Sequence, residues 1–111
     1  MTKIEIFRKN GRVIRYKATG HAEYANHGED IVCAAISMAM QFPLGGMQDV
    51  LDITPRYEID PEGYLEVDLR GMDFSSKGNE VNTLLDTMVL MLKELSKGYP
   101  KHLKLVEKEE I

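Results

Sequence analysis

Polar and apolar side chains alternate over residues 3–8, Lys-Ile-Glu-Ile-Phe-Arg, the period-two signature of a strand with one buried face. Asn10-Gly11 follows, and both residue types tolerate the positive φ that a two-residue hairpin turn demands. Alternation resumes over 12–18 through Val13, Arg15 and Lys17, predicting a second strand. Residues 19–29 have no clear period and carry Gly near each end, so they are expected to form a loop. Asp30 predicts a helix N-cap, because its carboxylate can accept the unpaired N–H groups of the next turn. From Ile31 to Phe42 the chain is rich in Ala, Met and Ile, which suits a buried helix. Pro43, Gly45 and Gly46 predict a kink or break, with helical character resuming at Met47, Val50 and Leu51 and running to about Asp52.

Residues 55–60 and 64–70 flank the turn-forming triplet Pro61-Glu62-Gly63 and predict a second hairpin. Asn79 is the expected N-cap of a helix over 80–97, where Val81, Leu84, Leu85, Met88, Leu92 and Leu95 recur at helical spacing. Gly98 and Pro100 stop it, and residues 102–107 alternate again as a last strand. The order β-β-α-β-β-α-β predicts an α+β fold: a largely antiparallel sheet with the two helices packed on one face.

Composition narrows the picture. A chain of 111 residues with 43% hydrophobic and 29% charged residues suits a single compact domain over 1–111. The net charge of −4 is spread along the chain without a Lys/Arg cluster, which argues against direct nucleic-acid binding. No uninterrupted run of about 18 apolar residues exists, so no membrane span is expected. An acid at Glu5 interrupts the apolar stretch that a signal peptide needs. The single Cys precludes an internal disulfide and points to a reducing, cytoplasmic setting.

That cysteine, Cys33, falls in the first turn of the first predicted helix. The aligned peptide dipoles and free N–H groups there favour a thiolate, the nucleophilic form. The bland alternative is a small buried hydrophobe beside Ala34 and Ala35. His21, at the mouth of the loop before the helix, could pair with it as a general base. His27 is a rival in the same loop, and His102 a distant one on the last strand. Asp30 could orient the imidazole as a third triad member as well as cap the helix. Ser37, one helical turn after Cys33, either hydrogen-bonds in the site or packs on the core. A zinc site from His21, His27, Asp30 and Cys33 lacks the paired ligand spacing usual for structural zinc, and a redox-sensing thiol would use the same cysteine. No cofactor or metal is expected.

The stretch Gly20-His21-Ala22-Glu23-Tyr24-Ala25, continuing through Gly28, Asp30-Ile31-Val32-Cys33-Ala34-Ala35 and Ser37, resembles the ribosomal-processing cysteine proteases of bacteria, the Prp family. The resemblance covers the whole chain, and G-H-A…G-x-D-I-V-C-A-A-x-S is a long signature. It implies an endopeptidase that removes a short N-terminal extension from large-subunit ribosomal protein twenty-seven. Cys33 would be the nucleophile and His21 the general base, with Asp30 in the same signature. Gly20, Ala22, Glu23 and Gly28 would belong to a loop that moves over the site, and the protein would form a homodimer. Helix-start N–H groups would serve the oxyanion, and Glu23, Glu29 and Asp30 would attract a basic substrate. A non-catalytic ribosome-associated binding module and a redox-sensing thiol protein are the alternatives.

Overall fold

The structure is a computed structural model that describes residues 1–26 and 29–110. Strands β1 (Thr2–Lys9) and β2 (Arg12–Thr19) form the first hairpin, and β3 (Arg56–Asp60) and β4 (Tyr64–Asp68) the second. Strand β5 (Leu103–Glu109) closes the chain. They make one five-stranded sheet in the order β3-β4-β2-β1-β5. Neighbours are antiparallel except β1 and β5, which run parallel. The parallel pair follows from connectivity: β5 arrives after a helix that has carried the chain back along the sheet. The expected α+β arrangement is the one found.

Pairing register explains which side chains meet. Ile4 sits opposite Ala18 and Ile6 opposite Tyr16, while Tyr16 and Ala18 face Val67 and Leu65 on the other side. These residues share one face and one buried cluster with both helices. Helix α1 (Ile31–Gly45) contributes Val32, Ile36, Ala39, Met40 and Leu44, and α2 (Gly78–Gly98) contributes Val81, Leu85, Met88, Val89 and Leu92. The Tyr16 hydroxyl, buried in this layer, donates to the Met40 carbonyl at 2.9 Å. That bond ties sheet to helix without leaving a buried polar atom unmet. The opposite face is ionic: Glu5 pairs with Lys17 and Lys108, and Arg15 with Glu66.

Two local expectations are corrected. Pro43 lies inside α1 rather than ending it; its ring is buried, and the chain passes directly into a π-helical turn, Gly46–Val50. Proline withholds one backbone donor, yet the helix runs on past it, and the two glycines fall where the helix widens into that turn. The 31–50 segment is therefore continuous and, by length and composition, apolar enough to cross a membrane. Its buried stripe is nevertheless committed to the sheet and α2. Finally, Asn79 does not cap α2. The 3-10 turn Ser75–Lys77 leads straight into the helix, and the side chain that accepts a turn N–H is Asp73, from Ser75 at 2.8 Å.

Candidate active site

Cys33 sits in the first turn of α1, half-buried. Asp30 caps that turn: its Oδ1 accepts the N–H groups of Val32 and Cys33, both at 2.9 Å. Its Oδ2 reaches back to the preceding loop and accepts from Tyr24 at 2.9 Å and Ala25 at 3.3 Å. One carboxylate thus locks the loop to the helix start. Burial pushes the Asp30 carboxyl up, but the Cys33, Ala25 and Tyr24 amides and the Cys33 thiol outweigh it. The net result is a group more acidic than an ordinary aspartate. No hydrogen bond joins Asp30 to His21 among the described residues; its oxygens are taken by four amides.

The loop delivers a further donor to the sulfur. Ala22 is almost fully buried, and its N–H donates to Cys33 Sγ at 3.2 Å. The helix-start amides of Val32 and Cys33 are occupied by Asp30, so the oxyanion donors expected there are not free in this state. The N–H aimed at the sulfur comes instead from the loop.

His21 is exposed and is held by the second hairpin. Its Nε2 lies 2.9 Å from the Glu62 carbonyl oxygen. A carbonyl can only accept, so Nε2 carries the proton, and in the neutral ring Nδ1 is left as the acceptor. Gly20 N–H donates to Gly63 O at 2.9 Å, clamping the loop's entrance to the same turn. Gly63 has φ +114°, and a Cβ there would stand 2.9 Å from His21 Nε2. Glycine is therefore required twice over, for backbone conformation and for the closeness of the ring.

His21, Cys33 and Asp30 line one open cavity of about 450 Å³. No hydrogen bond links His21 to Cys33 in this state among the described residues. Gly20 and Ser37 line the same cavity. Ser37 is exposed and accepts a bond from Gln41 at 2.8 Å, so it does not pack on the core. Glu23 adopts φ +57° on the exposed loop and, with Glu29, is not part of the cavity wall; the carboxylates that line it are Asp30 and Asp60. Gly28 and the rival base His27 lie outside the described residues. A second, apolar groove between α1 and α2, lined by Phe42, Val50 and Leu84 among others, holds neither Cys nor His.

A family model described as cysteine protease Prp matches residues 1–104. The chain belongs to that family. A curated relative, the ribosomal processing cysteine protease Prp of Bacillus subtilis (strain 168), is 23% identical over 96 residues, 84% of each chain. The S. aureus Prp crystallised with a covalently linked product peptide superposes with a TM-score of 0.86 at 24% identity, over 97% of this chain and all of that one. A Streptococcus mutans protein matches with a TM-score of 0.86 and 24% identity, covering 99% of this chain and 96% of its own. These structural likenesses establish the shared fold. Membership in the Prp family makes the chain a cysteine protease, and Cys33 is its one cysteine.

Three parts of the site escaped the sequence reading. The sequence predicts the hairpin that carries Glu62 and Asp60, but its approach to the loop depends on β2–β4 pairing. His102 lies in the turn before β5 rather than on the last strand, and near the loop rather than distant from it, with Nδ1 3.0 Å from the Ala22 carbonyl oxygen. No local pattern marks that contact, which spans 80 residues.

Proposed function

We propose that the chain is a single-domain cytoplasmic endopeptidase that removes the N-terminal extension of the precursor of large-subunit ribosomal protein twenty-seven. Cys33 acts as nucleophile and His21 as general base. The observation that carries this reading is the shared cavity of Cys33 and His21, with the Ala22 N–H already directed at the sulfur. The names of its relatives support the substrate class: one is a ribosomal processing protease, and another was crystallised with a product peptide.

In this mechanism His21 Nδ1 takes the Cys33 proton, and the thiolate attacks the scissile carbonyl to form a carbon–sulfur bond. Collapse of the tetrahedral intermediate breaks the carbon–nitrogen bond, and the imidazolium gives its proton to the departing amine. Water, deprotonated by His21, then hydrolyses the thioester. The extension leaves as a carboxylate and the thiol is restored. His21 is exposed and its Nε2 is bonded to Glu62 O, so ring movement on substrate binding brings Nδ1 to the sulfur, as catalytic bonds often tighten in the bound complex. Asp30 acts as cap and loop tie.

The lone free cysteine suits a reducing cytoplasm. Exposed Met38, Phe42 and Val50 on the α1 side and Leu90 and Met91 on α2 provide apolar surface for a second copy in a homodimer. The decisive experiment mixes the protein with the unprocessed precursor and follows the intact mass. A single shortened product, lost in both Cys33→Ser and His21→Ala, is the expected result. An unchanged mass, or full activity in Cys33→Ser, refutes the proposal.

A further inference from the structure

His102 is the remaining histidine of the described residues, and the mechanism above does not use it. It occupies the turn between α2 and β5, where its N–H donates to the Tyr99 carbonyl at 3.0 Å. Its own carbonyl accepts from Thr2 N–H at 3.0 Å, tying that turn to the start of β1. The backbone on both sides of the ring is therefore fixed by the sheet and the helix end. From this anchored position Nδ1 lies 3.0 Å from Ala22 O. The acceptor is a carbonyl, so Nδ1 must carry the proton.

The neighbours of the ring strengthen the arrangement. Tyr24 packs edge-on against His102, with centroids 5.2 Å apart, and edge-on against Tyr99 at 5.5 Å. Such geometry contributes beyond simple burial. Beyond its clamp at Gly20, the loop is thus held at Ala22 by His102, at the Tyr24 ring by two aromatic neighbours, and at the Tyr24 and Ala25 amides by Asp30. Ala22 is the residue whose N–H meets Cys33 Sγ. Neither Ala22 nor His102 lines the cavity, so His102 touches no reacting group, and its hydrogen-bonded link to the sulfur runs through Ala22.

We infer that His102 is a positioning residue for the protease reaction: its Nδ1–H holds the Ala22 carbonyl and so keeps the Ala22 N–H on the Cys33 sulfur. This rests on the reading of Cys33 as the nucleophile. A hydrogen bond that becomes charge-assisted when the thiol ionises strengthens as the reaction begins. Holding the donor in place therefore lowers the barrier, rather than merely stabilising the fold.

The test compares His102→Ala, His102→Asn and His102→Gln with the parent. Asn can place an amide N–H where Nδ1 stood; Gln places its amide nearer the Nε2 position. In His102→Ala and His102→Gln, kcat on the precursor falls about 10-fold, the size of one charge-assisted hydrogen bond, with KM unchanged. Alkylation of Cys33 by iodoacetamide at fixed pH, which needs no substrate, slows in parallel. His102→Asn restores both rates. Parent-like kcat and alkylation in His102→Gln, or a folded His102→Asn as slow as the other two, overturns the inference. Should His102→Ala fail to fold, the Asn and Gln pair decides alone. Cleavage surviving in Cys33→Ser would overturn both this inference and the protease mechanism. Loss there, combined with indifference to every His102 substitution, removes the inference only.

Discussion

His21 Nε2 rests 2.9 Å from the carbonyl oxygen of Glu62, so a main-chain oxygen on the second hairpin selects the tautomer of the proposed base. In a familiar Ser-His-Asp site a carboxylate does this work. Here the obvious carboxylate, Asp30, is engaged with four amides. A neutral carbonyl orients the ring through a hydrogen bond weaker than one to a charged carboxylate.

Gly63→Ala should separate orientation from folding. The new Cβ would stand 2.9 Å from His21 Nε2 and 3.2 Å from the Gly20 carbonyl oxygen, at φ +114°. The strain costs on the order of 1–3 kcal/mol, visible as a lower denaturation midpoint. Displacing the ring should also lower kcat by about 100-fold, as misplacement of a reacting group by about 1 Å can. Normal turnover in a folded variant would show that the hairpin does not position His21.

Asp30→Ala removes a helix cap and a loop tie together. The cap alone is worth about 0.5–2 kcal/mol, so the expected loss of stability lies at or above the top of that range. The Asp30 pKa is depressed below its ordinary 3.8, with burial opposed and outweighed by the amide bonds. Its stabilising contribution is therefore complete above the unfolded-state value and fades as pH falls through the lower folded value. Denaturant titrations at neutral pH and near pH 3 should show the gap between parent and Asp30→Asn narrowing in acid. A gap independent of pH would assign the effect to shape rather than charge.

Substrate attraction provides a third prediction. Asp30 and Asp60 line the cavity, and a basic ribosomal precursor should feel them across a Debye length of about 8–10 Å. The specificity constant kcat/KM should fall as salt rises, and Asp60→Asn should flatten that dependence while leaving kcat nearly unchanged. A salt-independent kcat/KM in the parent would eliminate steering by these carboxylates. Glu23→Gln and Glu29→Gln should matter less than Asp60→Asn, since neither lines the cavity.

The local features were legible because their causes are local. Asn10-Gly11 announces a hairpin, and its two residues take φ of 54° and 79°. Asp30 announces a cap and performs that function. The apolar spacing of α2 announces its buried stripe, with Leu85, Met88 and Leu92 almost wholly covered. The errors arose where a local rule met a tertiary demand. Pro43 stays in the helix, where its ring is buried among the core residues of α1. Asn79 is not the cap because the helix already begins at Gly78, straight out of the 3-10 turn.

What the amino-acid order determined alone was the set of elements and the chemistry stationed at one helix start: Cys33 three residues beyond an acid cap, with a histidine loop before it. The company around that sulfur was decided by tertiary structure. Pairing of β2 with β4 brings Glu62 to His21, and the turn into β5 brings His102 to Ala22. Those contacts join residues 41 and 80 positions apart. They form only when the sheet closes, because no local preference spans such distances and loop closure must be compensated by the buried core.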